Sequence, residues 1–197
     1  MIIKDYITVD NVLSDPEKIR SLATKLDFYT KTDETLDGLN NIKKRVHKPE
    51  GNWLGLRSGD LYDHSPEIFY SIFDDVFRKV LLGLDVKYEY TVSSYLHFSS
   101  ENCIYTSKHV HIDPHCSFAG VIYLNEFPQD NSGTILYPKN EEMSEIKIEN
   151  KYNRMIMYKS NVRHRPMAGF GTTANDSRLT LLFFVTRFYL DISNNQL

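Results

Sequence analysis

The sequence predicts a mainly β fold, a sandwich or jelly roll, with two N-terminal helices packed outside one of its sheets. Two observations predict it. Apolar residues recur at helical spacing in two segments before Gly83, and after Gly83 the period changes to that of strands. The second half then breaks into short runs rich in β-branched and aromatic residues, divided by turn clusters. Two helices followed by many strands bury their apolar faces by layering helix on sheet and sheet on sheet.

The elements follow in order. Ser14 or Asp15 caps a first helix, Pro16 suits its first position, and Glu17 supplies acidity to the first turn. Ile19, Leu22, Ala23 and Leu26 form its apolar stripe, which ends near Asp27. Residues 30–60 are polar and turn-rich and read as a long surface segment, in which Lys43, Lys44, Arg45 and Lys48 are a solvated charge run. A second helix runs from about Pro66 to Leu82. Ile68, Phe69, Ile72, Phe73, Val76, Phe77, Val80 and Leu81 recur there at three and four, with Ser65 as start signal and Gly83 as stop. Strands are expected over 86–98, 104–112, 118–125, 134–137, 154–158 and 179–189.

The chain has 197 residues, which suits a single domain: 1–83 as helical N-terminal support and loop, 84–190 as the β core. Net charge is −3 with a pI near 6.2, unlike the one-signed surface of a dedicated nucleic-acid binder. Cys103 and Cys116 are too few for a disulfide framework and are expected as free thiols. The first residues carry no apolar signal core, and the longest apolar run, 179–185, is too short to span a bilayer. The expectation is a soluble cytoplasmic protein with no membrane partner.

The chemistry-bearing stretch is His109-Val110-His111-Ile112-Asp113-Pro114-His115. On a strand, residues two apart share a face, so His109, His111 and Asp113 are expected on one side. His111 and Asp113 then offer two adjacent ligands to one metal, and His164 is the candidate third. Two His and one carboxylate on one side of a metal leave positions open, the usual site of non-haem Fe(II) oxygenases. His109 is a rival ligand, because His-x-His is also a metal pair. Downstream, Arg178 and Thr180 are again two apart at the start of an apolar strand. A guanidinium fork beside a hydroxyl suits a buried carboxylate.

In this order, His111-x-Asp113, then His164, then Arg178-x-Thr180, the chain resembles the 2-oxoglutarate/Fe(II) oxygenases, above all their prolyl-hydroxylase-like branch. Tyr123-Leu124-Asn125 is similar to that branch's strand whose tyrosine contacts 2-oxoglutarate. Ser132-Gly133-Thr134 resembles its glycine turn, with Ser132 in place of the commoner first glycine, and Tyr95 sits where the branch has a tyrosine. The likeness spans roughly residues 86–187, and the Trp53–Ser58 loop is similar to small phage and bacterial members, so a phage protein acting in a host cytoplasm is one form of the expectation. The resemblance implies a double-stranded β-helix with helices packed on its major sheet. It implies Fe(II) on His111, Asp113 and His164, and 2-oxoglutarate and O2 as cosubstrates. Arg178, Thr180, Tyr123 and Tyr95 would bind 2-oxoglutarate, while His109, Arg57 and Arg165 would lie on the substrate side. Hydroxylation of a C–H bond with release of succinate is the implied reaction. A peptidyl side chain is the first expectation for the substrate, ahead of an amino acid, a nucleobase or another small metabolite. Two rivals stand beside it: a cupin-type metalloprotein recruiting His109 or His115, and a jelly roll without catalysis in which His111 and Asp113 are a structural pair.

Overall fold

A computed structural model describes residues 5–29, 53–82, 87–138, 145–173 and 175–191. The elements run β1 (Tyr6–Asp10), α1 (Pro16–Ala23), β2 (Phe28–Tyr29), β3 (Leu56–Ser58), α2 (Leu61–His64), α3 (Pro66–Val80) and β4 (Lys87–Ser99). A short 3-10 turn (Ser107–His109) follows, then β5 (Phe118–Tyr123), β6 (Thr134–Tyr137), β7 (Ile146–Ile148), β8 (Arg154–Lys159), β9 (Arg163–Pro166) and β10 (Arg178–Asp191). Seven strands form an antiparallel major sheet in the order β1-β8-β5-β10-β4-β3-β2, and β7-β6-β9 form a minor sheet facing it. This is the expected jelly roll.

Both long helices start where their caps predict. Asp15 accepts the Lys18 amide at 3.1 Å and Pro16 opens α1; Pro66 opens α3 after Ser65. α3 ends at Val80, one turn's breadth before Gly83, because Leu82 itself takes the left-handed conformation (φ 55°). Asn153, also left-handed, pins the segment before α1 to the sheet. Its side chain accepts from the Leu13 amide at 2.9 Å and donates to the Leu13 carbonyl at 2.8 Å.

Alternation along β10 organises the interior. Leu179, Leu181, Phe183 and Val185 point to the helices and pack with Ile72, Phe73 and Val76 of α3, the Phe73 and Phe183 rings lying 5.7 Å apart. Arg178, Leu182 and Phe184 point the other way and line the space between the sheets, and Thr180, in phase with them, is fully buried. β4 does the same with Val92, Leu96 and Phe98 outward and Ser93, Tyr95 and His97 inward. Gly120 of β5 is required by this packing, since a Cβ there would fall 2.1 Å from Phe183 Cζ.

Two expectations fail. Residues 104–112 form no strand: Ser107–His109 coil into the 3-10 turn, and only isolated bridges, Ile104 to Ala168 and His111 to His164, tie the segment to its neighbours. The end of the supposed surface segment is interior, with Trp53, Arg57 and Ser58 buried and β3 pairing with β4. The charge run at 43–48 lies outside the described residues. Among those described, no helix is long and apolar enough to cross a membrane.

Candidate metal centre and cavity

His111, Asp113 and His164 converge, with their ligand atoms all within 4.8 Å of one another. The two segments are tied together directly. The His111 amide donates to the His164 carbonyl at 3.0 Å, the His164 amide returns the bond at 2.9 Å, and the Asp113 amide donates to Ser160 at 3.0 Å. Each imidazole is oriented by its own backbone, because His111 Nδ1 lies 2.8 Å from the His109 carbonyl and His164 Nδ1 lies 3.0 Å from that of Val162. Those bonds commit the Nδ1 protons and leave both Nε2 lone pairs toward Asp113, at 3.9 Å and 3.4 Å from its carboxylate oxygens.

The electrostatics suit a cation. Burial, then the neighbouring His111, holds the His164 pKa down at about 3, so its imidazole is neutral and ready to ligate. Burial pushes the Asp113 carboxyl up, against the pull of His111 and Arg57. Among the described residues, Asp113 Oδ2 is buried with no hydrogen-bond partner. An orphaned buried carboxylate oxygen beside two imidazoles that turn their Nε2 atoms toward it is the donor set that a divalent metal completes.

His109 does not share a strand face with the other two, since it sits in the 3-10 turn, where its Nδ1 accepts the Thr106 amide at 2.9 Å. It lines the cavity beside the triad without joining the cluster. His115 is exposed at the rim.

From the triad a cavity of about 570 Å³ runs between the sheets. Cross-strand register sets the residues beneath it in rows. Tyr123, Thr180, His97 and Arg57 form one row across β5, β10, β4 and β3, its His97 and Arg57 lining the cavity and its Tyr123 and Thr180 fully buried, and Val121, Leu182 and Tyr95 form the next. Arg178, only 2% exposed, enters beside the first row. Its Nε donates to the Ser132 carbonyl at 2.5 Å and its Nη2 to Gly133 at 3.2 Å, and its guanidinium lies 5.6 Å from the Tyr123 ring centre. Tyr123 donates to Thr134 Oγ1 at 2.8 Å, and Thr180 Oγ1 donates to the His97 carbonyl at 3.5 Å. The turn that presents the two carbonyls needs only its second glycine: a Cβ on Gly133 would fall 1.8 Å from the Ile148 carbonyl, whereas the Ser132 hydroxyl bonds back to Gln129.

Tyr95 lies inside, between Phe184 and Arg57, and Arg57 is 8% exposed with its guanidinium 4.6 Å over the Trp53 ring. Arg165 lies elsewhere. In β9 His164 and Pro166 face the cavity, so Arg165 falls on the outer face of the minor sheet, where it donates to the Tyr137 hydroxyl at 3.2 Å. Sequence reasoning missed three wall residues. Trp53 belongs to the supposed surface segment, Tyr158 packs its ring 4.4 Å from His164, and His97 is buried with Nε2 2.6 Å from the Leu54 carbonyl. His97 is in phase with Tyr95 on β4, and that alternation was the available signal. Burial, then the charge of Arg57, lowers its pKa well below the usual histidine range, so it is neutral.

No protein-family model matches the chain, and no curated protein matches its sequence. Solved structures do match. A Pseudomonas putida prolyl-4-hydroxylase aligns over 93% of this chain and 92% of its own at 15% identity, with a TM-score of 0.54. An oxidoreductase of the 2OG-Fe(II) oxygenase family from Burkholderia pseudomallei aligns over 92% and 84% at 12% identity, with a TM-score of 0.52. A Trichoplax adhaerens prolyl hydroxylase, in complex with a hypoxia inducible factor oxygen degradation domain peptide fragment, aligns over 92% and 83% at 14% identity, with a TM-score of 0.59. The chain has the fold of the 2-oxoglutarate/Fe(II) oxygenases. At these identities the likeness speaks for the fold, and the chemistry rests on the side chains of the cavity.

Proposed function

We propose that this chain is an Fe(II)- and 2-oxoglutarate-dependent dioxygenase that hydroxylates a C–H bond and converts 2-oxoglutarate to succinate. One observation carries the reading. The unpartnered Oδ2 of Asp113 lies between two imidazoles with free Nε2 atoms, in the same cavity as the buried Arg178 fork. His111, Asp113 and His164 hold the iron, which with O2 and 2-oxoglutarate supplies the oxidising chemistry. Arg178 receives the distal carboxylate of 2-oxoglutarate, held in aim by the Ser132 and Gly133 carbonyls, with Thr180 and Tyr123 beside it. Tyr95, Leu182 and Phe184 keep water from the floor, and His109 and Arg57 face the prime substrate. A peptidyl side chain is the substrate that the peptide-bound Trichoplax structure favours.

Anaerobic titration with Fe(II) and then 2-oxoglutarate tests this. A visible metal-to-ligand charge-transfer band is expected in the wild type and is lost in His164→Ala and Asp113→Ala. Arg178→Ala keeps the metal and loses the response to 2-oxoglutarate. Bound Fe(II) without the band favours the cupin-type metalloprotein, and no metal binding favours the jelly roll without catalysis.

A further inference from the structure

We infer that His109 donates the hydrogen bond by which the prime substrate is recognised, and that the substrate meets it with a carbonyl oxygen; the inference rests on the oxygenase reading above. The 3-10 turn is closed by a capping box, in which Thr106 Oγ1 accepts the His109 amide and His109 Nδ1 accepts the Thr106 amide at 2.9 Å. Glu or Gln usually fills that closing position. An imidazole there does one thing more: a neutral ring that accepts on Nδ1 carries its proton on Nε2, at its opposite edge. The side chain that closes the turn therefore has a donor left over. Among the described residues nothing accepts from His109 Nε2, and the ring lines the cavity beside the triad.

Its neighbours are committed. His97 Nε2 donates to the Leu54 carbonyl at 2.6 Å, Tyr105 donates to the same carbonyl at 3.2 Å, and Tyr123 donates to Thr134 at 2.8 Å. His111 and His164 turn Nε2 toward Asp113. The His109 carbonyl lies 2.8 Å from His111 Nδ1, so one residue orients a metal ligand through its backbone and meets the substrate through its ring. A substrate that fills the cavity strips water from the Nε2 proton and must replace the lost bond, since a donor buried without an acceptor is strongly unfavourable. A carbonyl supplies the acceptor and brings no proton of its own. A hydroxyl or an amine would bring one, and the single acid among the described lining residues, Asp113, belongs to the metal. Val121, Leu182 and Phe184 line the same cavity, so the carbonyl sits on an apolar body. It belongs either to a peptide amide or to a free small carbonyl compound.

Protein carrying isotopically labelled histidine, loaded with Zn(II), which does not turn over, and saturated with 2-oxoglutarate is observed by long-range proton–nitrogen correlation, which reads the tautomer of each imidazole. His109 is assigned by the loss of its signals in His109→Gln. In the wild type it is expected as the neutral ring with its proton on Nε2. Cyclohexanone should shift the His109 Nε2 resonance saturably, and methylenecyclohexane, the same shape without the oxygen, should not. In the variants, cyclohexanone binding is read from saturation transfer to its own protons. His109→Leu should weaken it about 3–10-fold, while His109→Gln, whose amide keeps both the capping acceptor and a donor, retains most of it with Zn(II) affinity unchanged. A parallel titration with acetyl-Gly-Leu-Gly-amide separates the sources: response to cyclohexanone alone names a free carbonyl compound, and response to the peptide names a peptidyl amide. A His109 proton on Nδ1, an equal shift with methylenecyclohexane, no saturable shift with either carbonyl probe, or full retention in His109→Leu overturns the inference. A wild type that shows the cyclohexanone response yet binds neither Zn(II) nor 2-oxoglutarate fails the oxygenase reading instead.

Discussion

The depressed pKa of His164 makes the metal-free protein acid-sensitive in a way that one substitution isolates. His164 is 5% exposed, and its pKa falls from the ordinary 6.5 to about 3 in the fold. Above pH 6.5 the imidazole is neutral whether the chain is folded or not, so it contributes no pH dependence. Below 6.5 the unfolded chain takes up a proton that the folded chain refuses, and stability falls with pH until about 3. Between pH 7.5 and 5.0 the loss from this one group is about 2 kcal/mol, a figure that changes little for any folded pKa below about 4. Asp113 works in the opposite direction, since its carboxyl is pushed up by burial, and His97 works in the same direction as His164. The total is therefore a mixture, and the difference between variants is the readout. Urea denaturation of metal-free wild type and His164→Gln, followed by circular dichroism at the two pH values, measures it. The wild type is expected to lose about 2 kcal/mol more than the variant. Equal losses would refute the claim that His164 is held neutral by the fold.

Three further predictions follow from close contacts. Gly120→Ala puts a methyl 2.1 Å from Phe183 Cζ in the helix–sheet core, and should cost about 1–3 kcal/mol, read as a lowered Tm; Phe183→Leu in the same chain should recover part of it. Gly133→Ala drives against the Ile148 carbonyl at 1.8 Å and must displace the turn whose carbonyls aim Arg178, so isothermal titration should show 2-oxoglutarate binding lost with Zn(II) binding kept. Asn153→Ala leaves the buried amide and carbonyl of Leu13 without their partner and should destabilise by about 2–4 kcal/mol in urea; a cost under about 0.5 kcal/mol would mean that water replaces both bonds.

The fold was legible where one physical signal dominated. Period 3.6 in α3 and period 2 in β4, β5 and β10 are imposed by burial on one or both faces, and the apolar residues that obey them are the ones in the core. β1 and β7 escaped because short, half-exposed strands such as Ile146–Ile148 owe their conformation to a neighbour's hydrogen bonds and not to their own residues, whereas the short strand after the turn at His164 was expected and is β9. Trp53 and Arg57 escaped for a related reason: a polar, turn-rich segment reads as surface, and its own residues do not show that β3 pairs with β4 and is buried there.

The triad is the instructive case, because its residues were read from a strand that does not exist. The expected face shared by His109, His111 and Asp113 needs a regular strand over 104–112, and the chain coils at Ser107–His109 instead. What remains is one extended step from Val110 and a single bridge, in which His111 and His164 exchange both backbone bonds, at 3.0 Å and 2.9 Å. That bridge performs locally what the strand was expected to perform along its length. It sets two ligands side by side across the two segments and leaves Asp113, two residues on, beside both. The rule that residues two apart share a side therefore survives from His111 to Asp113, where the backbone is tied, and fails one step earlier at His109, where the turn tightens. A substitution that loosens the bridge without touching a ligand, such as Val162→Gly at the buried residue whose carbonyl orients His164, should then cost metal affinity by about 10–100-fold while the jelly roll stays folded. Unchanged Zn(II) affinity in that variant would mean that the ligands are aligned by the metal itself and not by the backbone that carries them.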